Sequence, residues 1–308
     1  MITVIIPCYN EELTISKTIH ELKSLGRNDL TIVVVDNAST DGTALIAKEC
    51  GVKVLKEPLR GKGRAFRRGL SSLDKSTSIV ALIDGDNTYG IESLLEASNL
   101  VSNEGYEMVV GVRTTDDTSS SLEYRLGHRF GNFLFTNMNK LLFKSTIGDS
   151  LSGWRVMSRQ FALSFFGGNS NFELETELNV HAFRLDVPVA CVKILYRSRP
   201  YNSTSKLNTF KDGLAIFQRV IQLFKQERPK VAYFILSLPF LLGGLILFNR
   251  AFFNFLDTGL VEFLPSLVVS VSCFIITLSL WVTGTILDNN LKTRLDLARL
   301  IYHYDKLS

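Results

Sequence analysis

Four cysteines (Cys8, Cys50, Cys191 and Cys273) stand alone in 308 residues, without a C-x-x-C pair, and four histidines (His20, His128, His181 and His303) form no H-x-x-H or H-x-x-x-H pattern. Those absences argue against a zinc site and a disulfide framework. Charge of one sign is also missing: 34 Lys and Arg face 30 Asp and Glu, a net of +4 spread along the chain. That excludes a nucleic-acid binder recognisable by charge, and no nucleic-acid partner is expected. The first residues, Met1-Ile-Thr-Val-Ile-Ile-Pro7, carry no basic leader and too short an apolar run for a signal peptide, which predicts that the N-terminal region stays in the reducing cytosol. With 46% apolar and 21% charged residues, the chain has enough apolar sequence for a full core and a surplus besides.

The surplus is concentrated near the C-terminus. Val231–Phe248 holds 18 residues without a charge, about 27 Å of helix. Phe263–Leu287 holds 25 more, and both lengths suit a bilayer crossing. A two-helix transmembrane hairpin is predicted. Arg228 and Lys230 precede it and Lys292, Arg294, Arg299 and Lys306 follow it, whereas the connecting loop has Arg250 against Asp257 and Glu262. The positive-inside rule then places both termini and the large N-terminal domain in the cytoplasm. Phe210, Leu214, Phe217, Ile221 and Phe224 recur at helical spacing, which predicts an interfacial amphipathic helix over 209–230. A second candidate runs over 122–144, and 288–308 reads as an amphipathic cytosolic tail.

Residues 1–208 read as alternating strand and helix. Thr3–Ile6, Thr31–Val35, Val52–Leu55 and Ile79–Ile83 are strand-like runs, with a helix capped by Asn10 after the first and another reaching Cys50 after the second. The order implies an α/β domain with a mostly parallel sheet. Ligands in such sheets sit beyond the carboxyl ends of the strands. Pro7-Cys-Tyr9-Asn-Glu11, Asp36-Asn37 and Asp84-Gly-Asp86 all fall there.

Asp84 and Asp86, leaving a buried strand through a glycine, can share a hard cation whose remaining ligands are water and phosphate oxygens. Mg2+ or Mn2+ with a nucleotide diphosphate fits that description, with Thr88 near enough to add an oxygen. Asp36 can reach a ribose hydroxyl or a base N–H, or close an Asx turn or cap a helix. Arg60-Gly-Lys62-Gly-Arg64 opens a helix and can hold phosphate.

Taken together, P-C-Y-N-E-E at 7–12, V-V-V-D-N-A-S-T-D-G-T at 33–43, G-K-G-R-A at 61–65 and I-D-G-D at 83–86 resemble the family 2 inverting glycosyltransferases, whose fold is GT-A. D-S-L-S-G-W-R at 149–155, E-L-E-T-E at 173–177 and Y-R-S-R-P-Y-N-S-T-S-K-L-N at 196–208 look like the branch of dolichol-phosphate mannose synthase and bacterial polyprenyl-phosphate glycosyltransferases. The resemblance implies transfer of a sugar from a nucleotide diphosphate donor, UDP-linked by the same likeness, to polyprenyl (dolichyl or undecaprenyl) phosphate in a lipid bilayer. A protein or glycolipid acceptor is the alternative. Pro7, Tyr9, Glu11, Asp36, Lys62 and Asp84 would then hold the nucleotide sugar, and Asp84, Asp86 and Thr88 the metal. Arg113, Arg125, Arg129, Arg199 and Lys206 would hold the acceptor phosphate.

Catalysis is expected from Asp86, Asp149, Arg113 and Arg129. An acceptor phosphate is already anionic near neutral pH, so no strong base is required, and Asp149 is read as orienting an arginine rather than taking a proton. The task is to hold two anions together, for which arginine's planar fork is suited. A membrane acceptor also predicts an active-site mouth against the bilayer. D-G-D-N-T-Y replaces the D-A-D-L-Q-H of mannose synthases and Trp154 replaces Phe, so the resemblance does not fix the sugar. The sequence leaves a homo-oligomer open.

Overall fold

A computed structural model describes residues 1–114, 149, 152–165, 174–197 and 224–307. The expected helix over 122–144, most of that over 209–230, and Arg125, Arg129, Arg199 and Lys206 lie outside the described residues. Contacts divide the chain into two compact units, Met1–Gly213 with Arg299–Ser308, and Leu214–Ala298.

The first unit is built on a seven-stranded sheet. In chain order the elements are β1 (Ile2–Cys8), α1 (Ile15–Ser24), β2 (Leu30–Asp36), α2 (Thr43–Glu49), β3 (Lys53–Lys56), α3 (Lys62–Leu70), β4 (Ile79–Leu82) and α4 (Leu94–Asn103). There follow β5 (Met108–Thr114), β6 (Arg155–Ser158), α5 (Arg159–Leu163), α6 (Leu174–Leu185) and β7 (Val189–Leu195). Strand order is β3-β2-β1-β4-β6-β5-β7, and every pairing is parallel except those of β6, which runs antiparallel to β4 and β5. Its direction reverses because the chain returns to the sheet at the end where β5 left it. This is a GT-A-like α/β fold.

The central strands are continuous apolar runs because both sheet faces are covered. On one face Ile2, Val4 and Ile6 pack with Ile15, Ile19 and Leu22 of α1 and with Leu94 and Ala97 of α4. On the other, α3 lies against β1, and Phe66 meets Phe165, which in turn packs on His181 of α6. Burying side chains of this size contributes about 1.5–3 kcal/mol each. The chain turns from β2 and β3 back across β1 to reach β4, so the gap between the carboxyl ends of β1 and β4 is a topological switch point.

Asn10 does not cap α1. It sits at φ 55° and ties two loops, accepting on Oδ1 from Thr40 N–H at 2.8 Å. The helix starts five residues later, at Ile15, after a turn in which Thr14 N–H donates to the Glu11 carbonyl.

The second unit holds α7 (Pro229–Thr258) and the first part of α8 (Leu264–Leu307), each long and apolar enough to cross a membrane. Both helices run past the charge-free stretches read from the sequence. Asn249 and Arg250 continue α7 until Gly259 turns left-handed at φ 68°, and the Asp288–Lys292 ion pair lies within the continuing α8. The two pack through Gly244 against Cys273 and Phe274, and the Trp281 indole N–H donates to Ser237 Oγ at 2.7 Å. The large side chains of Phe234, Ile235, Leu242 and Ile246 point outward, exposed.

Candidate active site

The carboxyl ends of β1, β2 and β4 bring together most of the predicted donor residues that are described. The turn through Asp84-Gly85-Asp86 is held from α1, where Thr14 Oγ1 and Thr18 Oγ1 both donate to the Gly85 carbonyl, at 2.9 and 3.3 Å. Position 85 admits only glycine: a Cβ there would stand 2.6 Å from Cys8 Sγ. Asp86 Oδ1 accepts from Thr88, from the backbone N–H at 3.2 Å and from the hydroxyl at 2.7 Å. The Thr88 hydroxyl proton is therefore committed to Asp86.

Lys62, the first residue of α3, reaches across to the second carboxylate. Its Nζ lies 2.5 Å from Asp84 Oδ1 and 2.5 Å from Glu175 Oε1. Burial works against the ammonium, but the two carboxylates outweigh it and hold the Lys62 pKa above its usual value. Glu175 is disfavoured by burial yet held low by Lys62. For Asp84, burial comes first, and with Asp86 and Glu175 nearby it raises the carboxyl in spite of Lys62. Among the described residues, Asp84 and Glu175 share the Lys62 ammonium, with the Asp86 carboxylate close by. Cys8 registers the same field: burial, and then the carboxylates of Glu11, Asp84, Asp36 and Asp86, push its thiol well up.

The remaining donor-side residues surround this cluster. Asp36, 7% exposed, accepts on Oδ1 from Ser39 N–H, three residues on, at 3.0 Å, a cap-like bond rather than an Asx turn. Pro7 pairs with Val35 at the end of β1. The Tyr9 ring lies under the Arg60 guanidinium, 4.4 Å from its centre. Glu11 N–H donates to Thr43 Oγ1 at 2.8 Å, locking the loop after β1 to α2.

Arg113, at the end of β5, is gripped by Asp149: Nε to Oδ2 at 2.6 Å and Nη2 to Oδ1 at 2.8 Å. This bidentate geometry orients the guanidinium. Between this pair and the donor carboxylates lie two tyrosines. Arg113 stands 5.4 Å from the Tyr196 ring, Tyr196 packs on Tyr89 at 5.5 Å, and the Tyr89 hydroxyl accepts from Gly153 N–H at 3.1 Å. Gly153 in turn lies against the donor cluster, where a Cβ would come within 2.4 Å of Asp84 Oδ2. Burial, followed by the Asp84 charge, raises the Tyr89 pKa.

Several of these residues were not singled out from the sequence. Glu175 appears there only inside E-L-E-T-E, and Tyr89 only inside D-G-D-N-T-Y. Asn37 was noted as the neighbour of Asp36, but it staples the loop before α3, donating to Leu59 O at 2.7 Å and accepting from Gly61 N–H at 2.7 Å. Trp154, a departure from the family pattern, is fully buried with Ile194 and Tyr89 in the core. Arg155 is fully buried too, donating to Asn179 Oδ1 at 2.6 Å, and burial lowers its pKa to about 10, still charged at neutral pH.

The fold is that of a family 2 transferase, and the glycosyl transferase family 2 model matches residues 3–164. The chain belongs to that family and is a family 2 glycosyltransferase. It is 28% identical over 228 residues to glycosyltransferase AglJ of Haloferax volcanii, covering 74% of this chain and 73% of that one. Among solved structures it is similar to glucosyl-3-phosphoglycerate synthase from Mycobacterium tuberculosis in complex with Mg2+ and UDP, at 25% identity and TM-score 0.55 over 73% of this chain and 78% of the other. The same enzyme in complex with Mn2+, UDP-glucose and phosphoglyceric acid gives TM-score 0.53 and 25% identity over 73% and 79% of the two chains.

Proposed function

We propose that the protein moves a sugar from a nucleotide diphosphate donor, UDP-linked as in the similar synthase structures, to the phosphate of a membrane polyprenol, with inversion at the anomeric carbon. The observation that carries the membrane acceptor is the pair of long, outward-apolar helices following a family 2 catalytic unit. A phosphate oxygen attacks the anomeric carbon, the bond to the diphosphate breaks, and nucleoside diphosphate leaves. The domain reading is a cytosolic catalytic unit at 1–208, an interfacial helix at 209–230, two spans and a cytosolic tail, with the basic flanks setting the orientation.

Asp84 and Asp86, two carboxylates on one turn beyond a buried strand, offer the hard oxygen ligands that Mg2+ or Mn2+ takes. Bound there, the cation offsets charge on the departing diphosphate. Lys62 is placed to follow that diphosphate while Glu175 retains it near the site. Tyr9, Glu11 and Asp36 line the nucleoside end, and Asp149 fixes Arg113 toward the acceptor phosphate, with Arg125, Arg129, Arg199 and Lys206 as its further ligands.

The test is incubation of detergent-purified protein with Mg2+ or Mn2+, polyprenyl phosphate and a panel of nucleotide sugars, read by mass spectrometry. A metal-dependent polyprenyl-phosphate sugar from one donor, absent in D86A, supports the reading and names the sugar. Nucleotide binding without product from any donor overturns the lipid-phosphate acceptor in favour of a protein or glycolipid.

A further inference from the structure

Asn87 stands between Asp86 and Thr88 and carries two features that its own structure does not explain. Its backbone is left-handed, φ 56°, and its side-chain Nδ2 is buried without a hydrogen-bond partner among the described residues, in a residue only 8% exposed. Neither is imposed by a weak loop. Thr14 and Thr18 fix Gly85 before it, Thr88 is bonded to Asp86, and Arg197 N–H donates to the Thr88 carbonyl at 2.8 Å after it. The neighbours over-determine the backbone, and the amide is carried along in a strained and unsatisfied state. Strain held by a rigid surround marks sites where a ligand completes the bonding.

From this we infer that Asn87 is a donor-substrate contact: Nδ2 donates to an acceptor oxygen brought by the nucleotide sugar, either a diphosphate oxygen or a sugar hydroxyl. The inference rests on the nucleotide-sugar reading of the site. An amide N–H selects for a lone pair at its position, so Asn87 discriminates among donors that the carboxylates alone would treat alike.

The experiment compares wild type with Asn87→Gly and Asn87→Leu in the full-length protein. Glycine removes the amide and relaxes the left-handed strain, whereas leucine removes the amide, keeps its branched outline and adds to the strain. Tm is measured without ligand, and calorimetry in Mn2+ is run with UDP, UDP-glucose, GDP and GDP-mannose as probes. Both variants are expected to bind the nucleotide sugar about tenfold or more weakly, with the Tm of Asn87→Gly equal to wild type or higher. Weakening of the nucleotide sugar alone assigns the partner to a sugar hydroxyl, and equal weakening of the bare diphosphate assigns it to a phosphate oxygen. Wild-type affinity in both variants, or a Tm lowered by several degrees in Asn87→Gly, overturns the proposal. A wild type that binds none of the probes overturns the nucleotide-sugar reading itself and the contact with it.

Discussion

The two ends of the one sheet are built on opposite rules. At the carboxyl ends of β1, β2 and β4, three non-glycine residues hold positive φ, Asn10, Ala38 and Asn87, and the carboxylates of Asp84 and Glu175 meet at Lys62. At the amino ends, polar groups are matched. Thr3 and Thr77 share a hydrogen bond at 2.9 Å, and Arg159 donates to the carbonyls of Asp74 and Thr77. Ser158 bonds Glu107, and Gln160 Nε2 donates to the Tyr302 carbonyl at 2.6 Å. The carboxyl end gathers three of the four left-handed non-glycine residues and the buried charges, with Asp186 ahead of β7 as the fourth, while the amino end supplies matched hydrogen bonds. Function and stability are thus separated along the strand axis, and substitutions should divide the same way.

The largest effect is expected at the charged end. D86A should lower sugar transfer about 100-fold or more, about 3 kcal/mol on the barrier, while leaving Tm little changed. A matching collapse of Tm would break the comparison. At the matched end, Tyr302→Ala removes a side chain 2% exposed. It should cost about 3 kcal/mol of stability, seen in denaturant melts, with kcat unchanged below the transition.

His181 sharpens the comparison through pH. Burial, followed by the nearby Arg184 charge, lowers its pKa to about 4 in the fold. The unfolded chain therefore binds more protons between about pH 6.5 and 4. Its contribution is fully present above that window and is lost as pH falls through it, at most about 3 kcal/mol. His181→Phe should flatten the Tm profile between those pH values. The smallest effect returns to the strained end: Ala38→Gly relieves φ 62° and should raise stability by about 0.5–1 kcal/mol.

Much of this was legible because buried parallel strands are written as contiguous apolar runs. Thr31–Val35 and Ile79–Ile83 announce β2 and β4, and the carboxylates that follow them stand at the strand ends by necessity. What stayed hidden depends on distant partners. Glu175 gains its meaning from Lys62, 113 residues earlier, and no local pattern encodes that meeting. Asn10 has the composition of a helix cap, but Ser39 and Thr40 compete for it and win. The short β6, with Arg155 buried in it, carries no apolar signature that would mark it as a central strand.

The clasp between Arg113 and Asp149 joins residues 36 apart in sequence. It ties the end of β5 to a residue shortly before β6. A segment closed at its base can grow or be exchanged cheaply: doubling its length adds only about 0.6 kcal/mol of closure entropy. Asp36, Lys62, Asp84 and Asp86, all before β5, lie outside it. The length of chain between Arg113 and Asp149 can therefore vary at little entropic cost, without disturbing the sheet or the carboxylates before β5.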